Sequence, residues 1–241
     1  MASPEYSVII PAYNEAELLP ETLRALTAAM AEIPVSGEII VVDNRSTDAT
    51  AAIAASFGAI VIGEAEHRIS RVRNRGAAAA RGRYLIFIDA DTTADKALLQ
   101  QTLAELASGQ CCGGGARIGF REPVSRIPRL LMALWNHTAW WHRNAAGCYF
   151  FVPRELFLSV GGFCEELYAG EELALSKTLR RYGRGYGKHF TLLPLTVMTS
   201  PRKVQAYSLA RVIGTFLLLG IFPWRRRRRS ACSLWYDCRH R

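Results

Sequence analysis

The feature that most constrains the fold is a run of apolar residues that ends abruptly in acid, RYLIFIDADTT at residues 83–93. Residues 84–88 carry no charge, which is typical of a strand buried on both faces of a parallel sheet. Because side chains alternate along a strand, Asp89 and Asp91 are expected to leave its carboxyl end on the same side. Two hypotheses are open: the acids hold Mg²⁺ or Mn²⁺, or Asp91 with its neighbours caps the next helix.

The chain up to residue 109 alternates between strand and helix patterns. Strands are predicted at 6–10, 38–42, 59–62 and 84–88, and helices at 14–30, 47–57, 70–81 and 94–108. Asn14 is expected to cap the first helix and Gly58 to end the second. This alternation predicts an α/β, Rossmann-like fold whose central sheet is mostly parallel, with helices on both faces.

After residue 109 the alternation breaks. Strands are predicted at 117–120, 148–152, 186–190 and 192–199, and helices at 125–143, 153–160 and 171–182, the last stopped by Gly183. The helix at 125–143 mixes large apolar and aromatic side chains with Arg and His, so it either packs into the core or lies in a membrane interface. We take the packed helix as the expectation.

Polar side chains follow three of the predicted strands. Tyr13, Asn14 and Glu15 follow the first, Asp43, Asn44 and Ser46 the second, and Asp89 and Asp91 the fourth. In an open α/β sheet, ligands bind beyond the carboxyl ends of the strands, so these residues predict a site there. The chain has no GxGxxG after its first strand and no Walker A sequence, which argues against a dinucleotide site or a P-loop.

The positive charge is concentrated at the end of the chain. Its 241 residues carry a net charge of +9, and residues 225–241 contain seven Arg and one Asp. A nucleic-acid protein would spread Lys and Arg over a folded face, so no nucleic-acid partner is expected. The N-terminus has no basic and apolar leader and the six cysteines are scattered, which together predict a cytoplasmic protein with reduced thiols.

The apolar stretch VIGTFLLLGIFPW at residues 212–224 is too short to cross a bilayer as a helix. Five consecutive arginines follow it at residues 225–229. Two interpretations are open. The segment is a C-terminal amphipathic helix lying on an anionic cytoplasmic membrane, or a helix packed on the sheet with a solvated charge run beyond it.

Six segments in this order resemble family 2 glycosyltransferases of the GT-A fold. They are SVIIPAYNE (7–15), EIIVVDNRSTDAT (38–50), RNRGAAAARGRYLIFIDADT (73–92), GGF (161–163), GEELALSKTLRRYG (170–183) and TSPR (199–202). The resemblance implies a GT-A domain at 1–205, with a nucleotide-sugar-binding half at 1–109 and an acceptor and catalytic half at 110–205. An apolar helix with an Arg-rich tail follows at 206–241.

The resemblance also implies a nucleotide-sugar donor, with a UDP-sugar favoured, and Mg²⁺ or Mn²⁺ as cofactor. The donor-binding residues that it implies are Pro11, Tyr13, Glu15, Asp43, Asn44, Ser46, Arg73, Asp89 and Arg202. Asp43 would bond the base, and Arg73 would approach the ribose or the diphosphate. Asp91, with Asp89, would hold the metal, and Arg202 the diphosphate. Asn44 stands where many relatives have a second Asp, which puts the base preference in doubt.

Glu171 and Glu172 match the catalytic Glu-Asp pair of the family, with Glu172 in the place of the Asp. The resemblance implies that Glu172 deprotonates a sugar or lipid-linked acceptor hydroxyl for a single inverting displacement. The helix N-terminus is expected to hold Glu172 ionised. The extra methylene also leaves open an alternative, a catalytically silent protein that binds nucleotide-sugars or docks on a membrane.

Overall fold

The computed structural model describes residues 3–236, and within them eight strands form one sheet. The strands are β1 Tyr6–Ala12, β2 Gly37–Asp43, β3 Ile60–Gly63, β4 Tyr84–Ile88, β5 Thr92–Thr93, β6 Cys111–Phe120, β7 Tyr149–Pro153 and β8 His189–Thr199. Their order across the sheet is β3-β2-β1-β4-β7-β6-β8-β5. The predicted α/β class is therefore confirmed.

The sheet is parallel on one side and mixed on the other. β3, β2, β1 and β4 run parallel, whereas β7 is antiparallel to both β4 and β6, and β6 and β8 are parallel to each other. The short β5 pairs antiparallel with β8, directly after the acidic turn. The parallel half corresponds to the predicted βαβ alternation, and the mixed half begins where that alternation breaks.

Helices cover both faces of the sheet. They are α1 Leu19–Ala31, α2 Thr50–Ser56, α3 Ile69–Ala79, α4 Lys96–Ala107, α5 Arg126–His142, α6 Arg154–Ser159, α7 Glu171–Gly185, α8 Arg202–Ala206, α9 Leu209–Ile221 and α10 Ser233–Tyr236. Val8 and Ile10 of β1 pack in the core with α1 and α4, while Ile9 packs in the opposite core with α3, α6 and α7. The alternation of β1 side chains thus divides the interior into two layers.

Two glycines let α3 and the turn after it approach β1 closely. A Cβ on Gly76 would lie 2.4 Å from the Ile9 side chain, and one on Gly82 would lie 2.4 Å from the backbone of Tyr6. No larger residue fits at either place without moving β1. This close packing fixes the position of α3, which carries Arg73, relative to the carboxyl end of β1.

Several predicted boundaries are wrong. Asn14 does not cap α1, which begins at Leu19; it adopts a left-handed conformation with φ 52°. β6 begins at Cys111 rather than residue 117, because the glycines after it permit close strand contacts; a Cβ on Gly114 would lie 2.1 Å from the Thr191 carbonyl oxygen. α7 continues through Gly183 to Gly185, and the two strands expected after it form the single strand β8.

The expectation that α5 packs into the core is also wrong. Ala139 is its buried residue, and Met132 and Trp135 rest partly buried against the core. Leu130 is 69% exposed and Trp141 is 78% exposed. One stripe of the helix therefore supports the sheet while its apolar outer side faces solvent.

The predicted C-terminal helix is present as α9, but its amphipathic character is not confirmed. Val212 and Leu219 are buried, yet Phe216, Leu217 and Ile221 on its outer side are exposed. No helix in the described part of the chain has the length and apolar character needed to span a bilayer. No disulfide joins the described cysteines, and residues 237–241, with Cys238 and the end of the predicted tail, lie outside the described residues.

Candidate active site

The predicted site residues meet at one edge of the sheet. Because β1, β2 and β4 are parallel, their carboxyl ends lie together, and a cavity of about 140 Å³ opens there. The predicted residues that line it are Pro11, Tyr13, Glu15, Asn44, Asp89 and Asp91. Asp43, Ser46, Arg73 and Arg202 do not line the cavity; they contact residues around it or form its supporting loops.

The second-strand loop is held by amide hydrogen bonds. Asn44 is buried, and its side-chain nitrogen donates to the carbonyl oxygens of Glu64 (2.7 Å) and Glu66 (2.9 Å). Its amide oxygen therefore faces Nδ1 of His67 at 3.2 Å and accepts a hydrogen bond from that nitrogen. The His67 ring in turn packs edge-on against Tyr13. Asn44 thus positions two rings at the place where a base is predicted to bind.

The loops after β1 and β2 are tied to each other. The Ser46 amide approaches both carboxylate oxygens of Asp43 at 3.3 Å, and the Ser46 hydroxyl accepts from the Asn14 amide at 3.0 Å. The Asn14 side chain accepts from the Thr47 amide at 2.8 Å, which explains its departure from the predicted capping position. These hydrogen bonds join the two loops and hold the rim of the cavity in place.

Asp89 and Asp91 both face the cavity, as the alternation of side chains predicts. The capping hypothesis for Asp91 is wrong, because Asp95 is the N-cap of α4 and accepts from the Leu98 amide at 2.8 Å. Asp91 is buried, and its carboxylate accepts from the hydroxyls of Thr92 (3.2 Å) and Thr199 (3.4 Å). β5 and β8 therefore hold this carboxylate in place.

Arg73 is the central cation of the site. Its side chain is 2% exposed, and its guanidinium pairs with Glu171 at 2.6 Å and Asp89 at 2.8 Å and donates to the Gly147 carbonyl at 2.9 Å. Burial opposes the charge, yet the two carboxylates raise the pKa of Arg73 above its ordinary value. The predicted contact of Arg73 with a ribose or diphosphate stays a prediction, since these donors are already engaged by protein oxygens.

Glu172 lies in the first turn of α7, beside Glu171. Burial and the neighbouring Glu171 carboxylate raise the pKa of Glu172 to about 8, and Arg73 offsets only part of this effect. The expectation that the helix N-terminus holds this group ionised is therefore wrong. The raised pKa favours the protonated form of Glu172 near neutral pH, and its carboxylate form gains as the pH rises.

Arg202 bridges the acids on the opposite wall. Its Nη2 contacts the two carboxylate oxygens of Glu15 at 2.8 and 2.9 Å and lies 3.7 Å from Oδ2 of Asp91. Burial lowers the pKa of Arg202, but the Glu15 and Asp91 carboxylates raise it by more. The net shift of this pKa is therefore upward. Asp91, Asp89 and Glu15 all line the cavity, and carboxylate oxygens are the type of ligand that Mg²⁺ and Mn²⁺ take.

Two residues of the C-terminal segment form part of the cavity wall, and sequence reasoning did not identify them. Arg229 and Tyr236 line it, and the Tyr236 hydroxyl accepts from the Ile69 amide at 3.3 Å. The Tyr236 ring also packs against Tyr168. With this wall in place, the cavity is smaller than the roughly 300 Å³ at the lower end of ligand pockets. No local motif marks these residues, because only the path of the tail brings them here.

Glu105, Cys111 and His189 form a separate group of potential metal ligands, with ligand atoms within 4.8 Å of one another. It lies where β6 and β8 begin, whereas Asp91 lies beside their far ends, next to Thr199. Burial raises the pKa of the Cys111 thiol to about 12, so this sulfur is protonated. The group is therefore distinct from the predicted metal ligands Asp89 and Asp91.

The family model of glycosyl transferase family 2 matches residues 7–164. An uncharacterized glycosyltransferase of Mycobacterium tuberculosis is 35% identical over 137 residues, which cover 55% of this chain and 60% of that protein. The glycosyltransferase AglE of Haloferax volcanii is 28% identical over 199 residues, or 78% of this chain and 64% of the relative. The chain thus spans less than two thirds of the length of these curated relatives.

Solved structures share the fold. Mannosyl-3-phosphoglycerate synthase from Rubrobacter xylanophilus aligns with a TM-score of 0.67 at 22% identity, covering 94% of this chain and 74% of that one. A mannosyltransferase from Pyrobaculum calidifontis, in complex with GDP-Man and Mn²⁺, aligns with a TM-score of 0.64 at 21% identity, covering 97% and 70%. The mixed sheet flanked by helices is thus that of a GT-A fold, and the chain belongs to glycosyl transferase family 2.

Proposed function

We propose that this protein is an inverting, metal-dependent glycosyltransferase that moves a sugar from a nucleotide-sugar to an acceptor hydroxyl. The observation that carries the proposal is the bridge made by Arg73, which pairs with Asp89 at the donor cavity and with Glu171 at the start of α7. One buried guanidinium therefore joins the predicted donor residue to the helix turn that carries the predicted base.

The donor would bind at the carboxyl ends of β1, β2 and β4. We assign the base to the wall formed by Pro11 and Tyr13, with Asp43, Asn44 and Ser46 in the loop beside it. The diphosphate would lie toward Asp91 and Arg202, whose guanidinium pairs with Glu15. A UDP-sugar is the first donor to test, since related structures contain UDP or UDP-GlcNAc, although another contains GDP-Man.

In the transfer step, the acceptor oxygen forms a bond to the anomeric carbon while the bond from that carbon to the diphosphate oxygen breaks. The acceptor proton passes to the ionised carboxylate of Glu172, and the electron pair leaves with the nucleoside diphosphate. A divalent ion held by Asp91 and Asp89 would neutralise negative charge on the departing diphosphate. Glu171, fixed by Arg73, would hold the turn that orients Glu172.

The raised pKa of Glu172 favours a second candidate, a catalytically silent protein that binds nucleotide-sugars. In that case the extra methylene and the protonated carboxyl would leave no working base. A transfer assay above pH 8 separates the two, because an active enzyme gains its base there and a silent one does not.

The proposed setting is the cytoplasmic face of a membrane, with a lipid-linked or cell-envelope acceptor. This part of the proposal is supported by the exposed Phe216, Leu217 and Trp224 and by the arginines after them. Deleting residues 225–241 is expected to weaken binding to anionic vesicles, measured by co-sedimentation. Unchanged vesicle binding would show that the tail does not bind the membrane. It would not bear on the proposal for the donor site.

Calorimetry with nucleotides and nucleotide-sugars, with Mn²⁺ or Mg²⁺ and then with chelator, tests the donor site. We expect metal-dependent binding of one nucleoside diphosphate, lost in Asp91→Asn because the ligand charge beside Arg202 disappears. Glu122→Gln is the control, since that acid is exposed and pairs with Arg121 away from the cavity. Equal binding by Asp91→Asn and the wild type would overturn the metal assignment.

A further inference from the structure

One surface of the protein takes no part in the proposed reaction and is both apolar and basic. Its apolar part is a stripe on α5 made of Ile127, Leu130, Leu134 and Trp141, all exposed. At 100° per residue, these four side chains lie within an arc of about 60°. Large apolar side chains collected on one exposed stripe indicate an interaction site rather than random surface composition.

The basic part begins where the stripe ends. A groove of about 460 Å³ lies between the end of α5 and the second half of α7, lined by Trp141, Arg143, Arg180, Arg184 and Lys188 among others. Trp141 belongs to both parts, so the apolar stripe and the groove form one continuous surface. We call this surface the α5–α7 face.

Four cations of the groove have no carboxylate partner within residues 3–236. Among the described residues, no carboxylate forms an ion pair with Arg143, Arg180, Arg184 or Lys188. Arg180 instead donates to the carbonyls of His142 and Arg143 and to the Asn144 side chain, which fixes it against the end of α5. Burial, together with the charges of Arg184 and Arg143, lowers the pKa of Arg180.

One acid, Glu105, contacts the groove residue His189 and is already engaged. Glu105 is hydrogen-bonded to His189 and accepts from the Thr191 hydroxyl at 2.8 Å. The groove therefore presents a surplus of guanidinium and ammonium groups beside an aromatic ring. Guanidinium groups match the geometry of phosphate oxygens, and Trp is enriched where apolar and aqueous regions meet.

We propose that the α5–α7 face is a docking surface for an anionic phospholipid membrane. The stripe on α5 enters the boundary between headgroups and acyl chains, and the groove binds headgroup phosphates beside it. Arg126 and Arg129, both exposed in the first turn of α5, add positive charge at the other end of the stripe. An apolar stripe with cations at both ends matches an anionic bilayer in polarity and in charge.

A second copy of the chain fits this face less well. A symmetric dimer presents the same patch from both subunits, so two unneutralised grooves would enter one interface with no acid to match them. The net charge of +9 adds to that repulsion. An anionic membrane avoids this repulsion, because its surface carries many negative headgroups that can pair with the cations of the groove.

The groove lies toward the opposite end of α7 from the proposed base, and its lining residue His189 begins β8, at the edge of the sheet away from Asp91. Glu172 and Arg180 lie on the same helix, eight residues and roughly 12 Å apart along its axis. The inference itself does not depend on the proposed reaction, since it concerns a surface outside the donor cavity. It is also separate from the tail, which contributes arginines on a different segment.

The test is co-sedimentation of the full chain with vesicles of phosphatidylcholine alone and with added phosphatidylglycerol. The wild type is expected to bind only the anionic vesicles. Two double variants, Leu130→Ser with Trp141→Ser and Arg184→Glu with Lys188→Glu, are each expected to reduce the partition coefficient by about tenfold or more. Val35→Ser with Leu158→Ser is the matched control, because those exposed apolar residues lie elsewhere.

Thermal unfolding and nucleotide binding, measured on every variant, show whether the fold is retained. Loss of vesicle binding with both properties unchanged supports the proposal. Wild-type affinity in the α5 and α7 variants, with the tail intact, overturns it, as does failure of the wild type to bind anionic vesicles. Two further results also overturn it: a dimer that the α5 variant dissociates while vesicle binding persists, or binding of inorganic phosphate that the α7 variant loses while vesicle binding persists.

Discussion

The turn after β4 and the start of α7 each carry two nearby acids, and the protein treats them differently. Asp89 and Asp91 each face an arginine, Arg73 and Arg202 respectively. At the start of α7, Glu171 takes the other side of Arg73, and no salt bridge to Glu172 forms within the described residues.

The difference shows that the protonation of each carboxyl group depends on whether an arginine pairs with it. Arg73 serves one acid from each pair, so Glu172 is left beside the like charge of Glu171. Its pKa rises to about 8, where it can accept a proton in the neutral-to-alkaline range. The two acids after β4 are thus each held against an arginine, whereas the start of α7 leaves one carboxyl group with a raised pKa.

Removal of the unpaired carboxylate gives the largest expected effect. Glu172→Gln is expected to lower the transfer rate by about 10²–10⁴-fold, because the general base is lost, while calorimetry finds donor affinity unchanged. Glu155→Gln is the control, since Glu155 is also in the first turn of a helix but is exposed. If Glu172→Gln transfers sugar at the wild-type rate, the assignment of the base is wrong.

Removal of Arg73 should destabilise the turn after β4 and the start of α7 together, since its guanidinium pairs with an acid in each. Arg73→Met is expected to reduce the free energy of unfolding by about 3–5 kcal/mol, because Asp89 and Glu171 lose their common partner in a buried place. Arg71→Met is the matched control on the same helix. Arg71 is 45% exposed and pairs with Glu64 and Glu66, so a much smaller change is expected in chemical denaturation. Similar losses in both variants would contradict the central role of Arg73.

The pH dependence should separate the two pairs. Because the folded-state pKa of Glu172 is raised and the base must be ionised, kcat/KM is expected to rise about tenfold per pH unit up to about pH 8 and then level off. Donor affinity, measured by calorimetry at the same pH values, should not follow this curve. A transfer rate that is already constant from pH 6 would show that Glu172 is ionised in the working enzyme.

The smallest expected effect comes from the C-terminal segment beside the start of α7. A Cβ on Gly170 would lie 3.1 Å from the Arg226 side chain, and Cys232 is buried next to Ala169. Deleting residues 225–241 should hydrate this region and move the rising limb of the pH profile to lower pH by less than about one unit. An unchanged limb would mean that the burial of Glu172 comes from the sheet alone.

The parallel half of the fold was predictable because its signals are local. Short uncharged runs ending in polar loops define β1, β2 and β4, and buried strands of this kind have few alternatives. The mixed half was less predictable. β6 contains three consecutive glycines, and their place in a strand is explained only by distant neighbours. A Cβ on Gly114 would meet Thr191 and Phe151, and a Cβ on Gly115 would meet Ala145.

The sequence predicted many of the residues that line the site, but it did not predict which other residues they contact. Six predicted residues line one cavity, because the carboxyl ends of parallel strands must meet at one edge. Arg229 and Tyr236 carry no local signal and were missed. The exposed side of α5 was also assigned wrongly, since an apolar helix pattern does not state whether a second surface covers it.

The sequence by itself determined the fold class, the family resemblance and the edge of the sheet where the acids gather, because hydrophobic periodicity and short motifs act over neighbouring residues. Only the tertiary structure decided that Arg73 is shared by Asp89 and Glu171 and that Glu172 has a raised pKa. Those properties depend on distance and burial among residues about a hundred positions apart, where electrostatic energies are set by the surrounding protein.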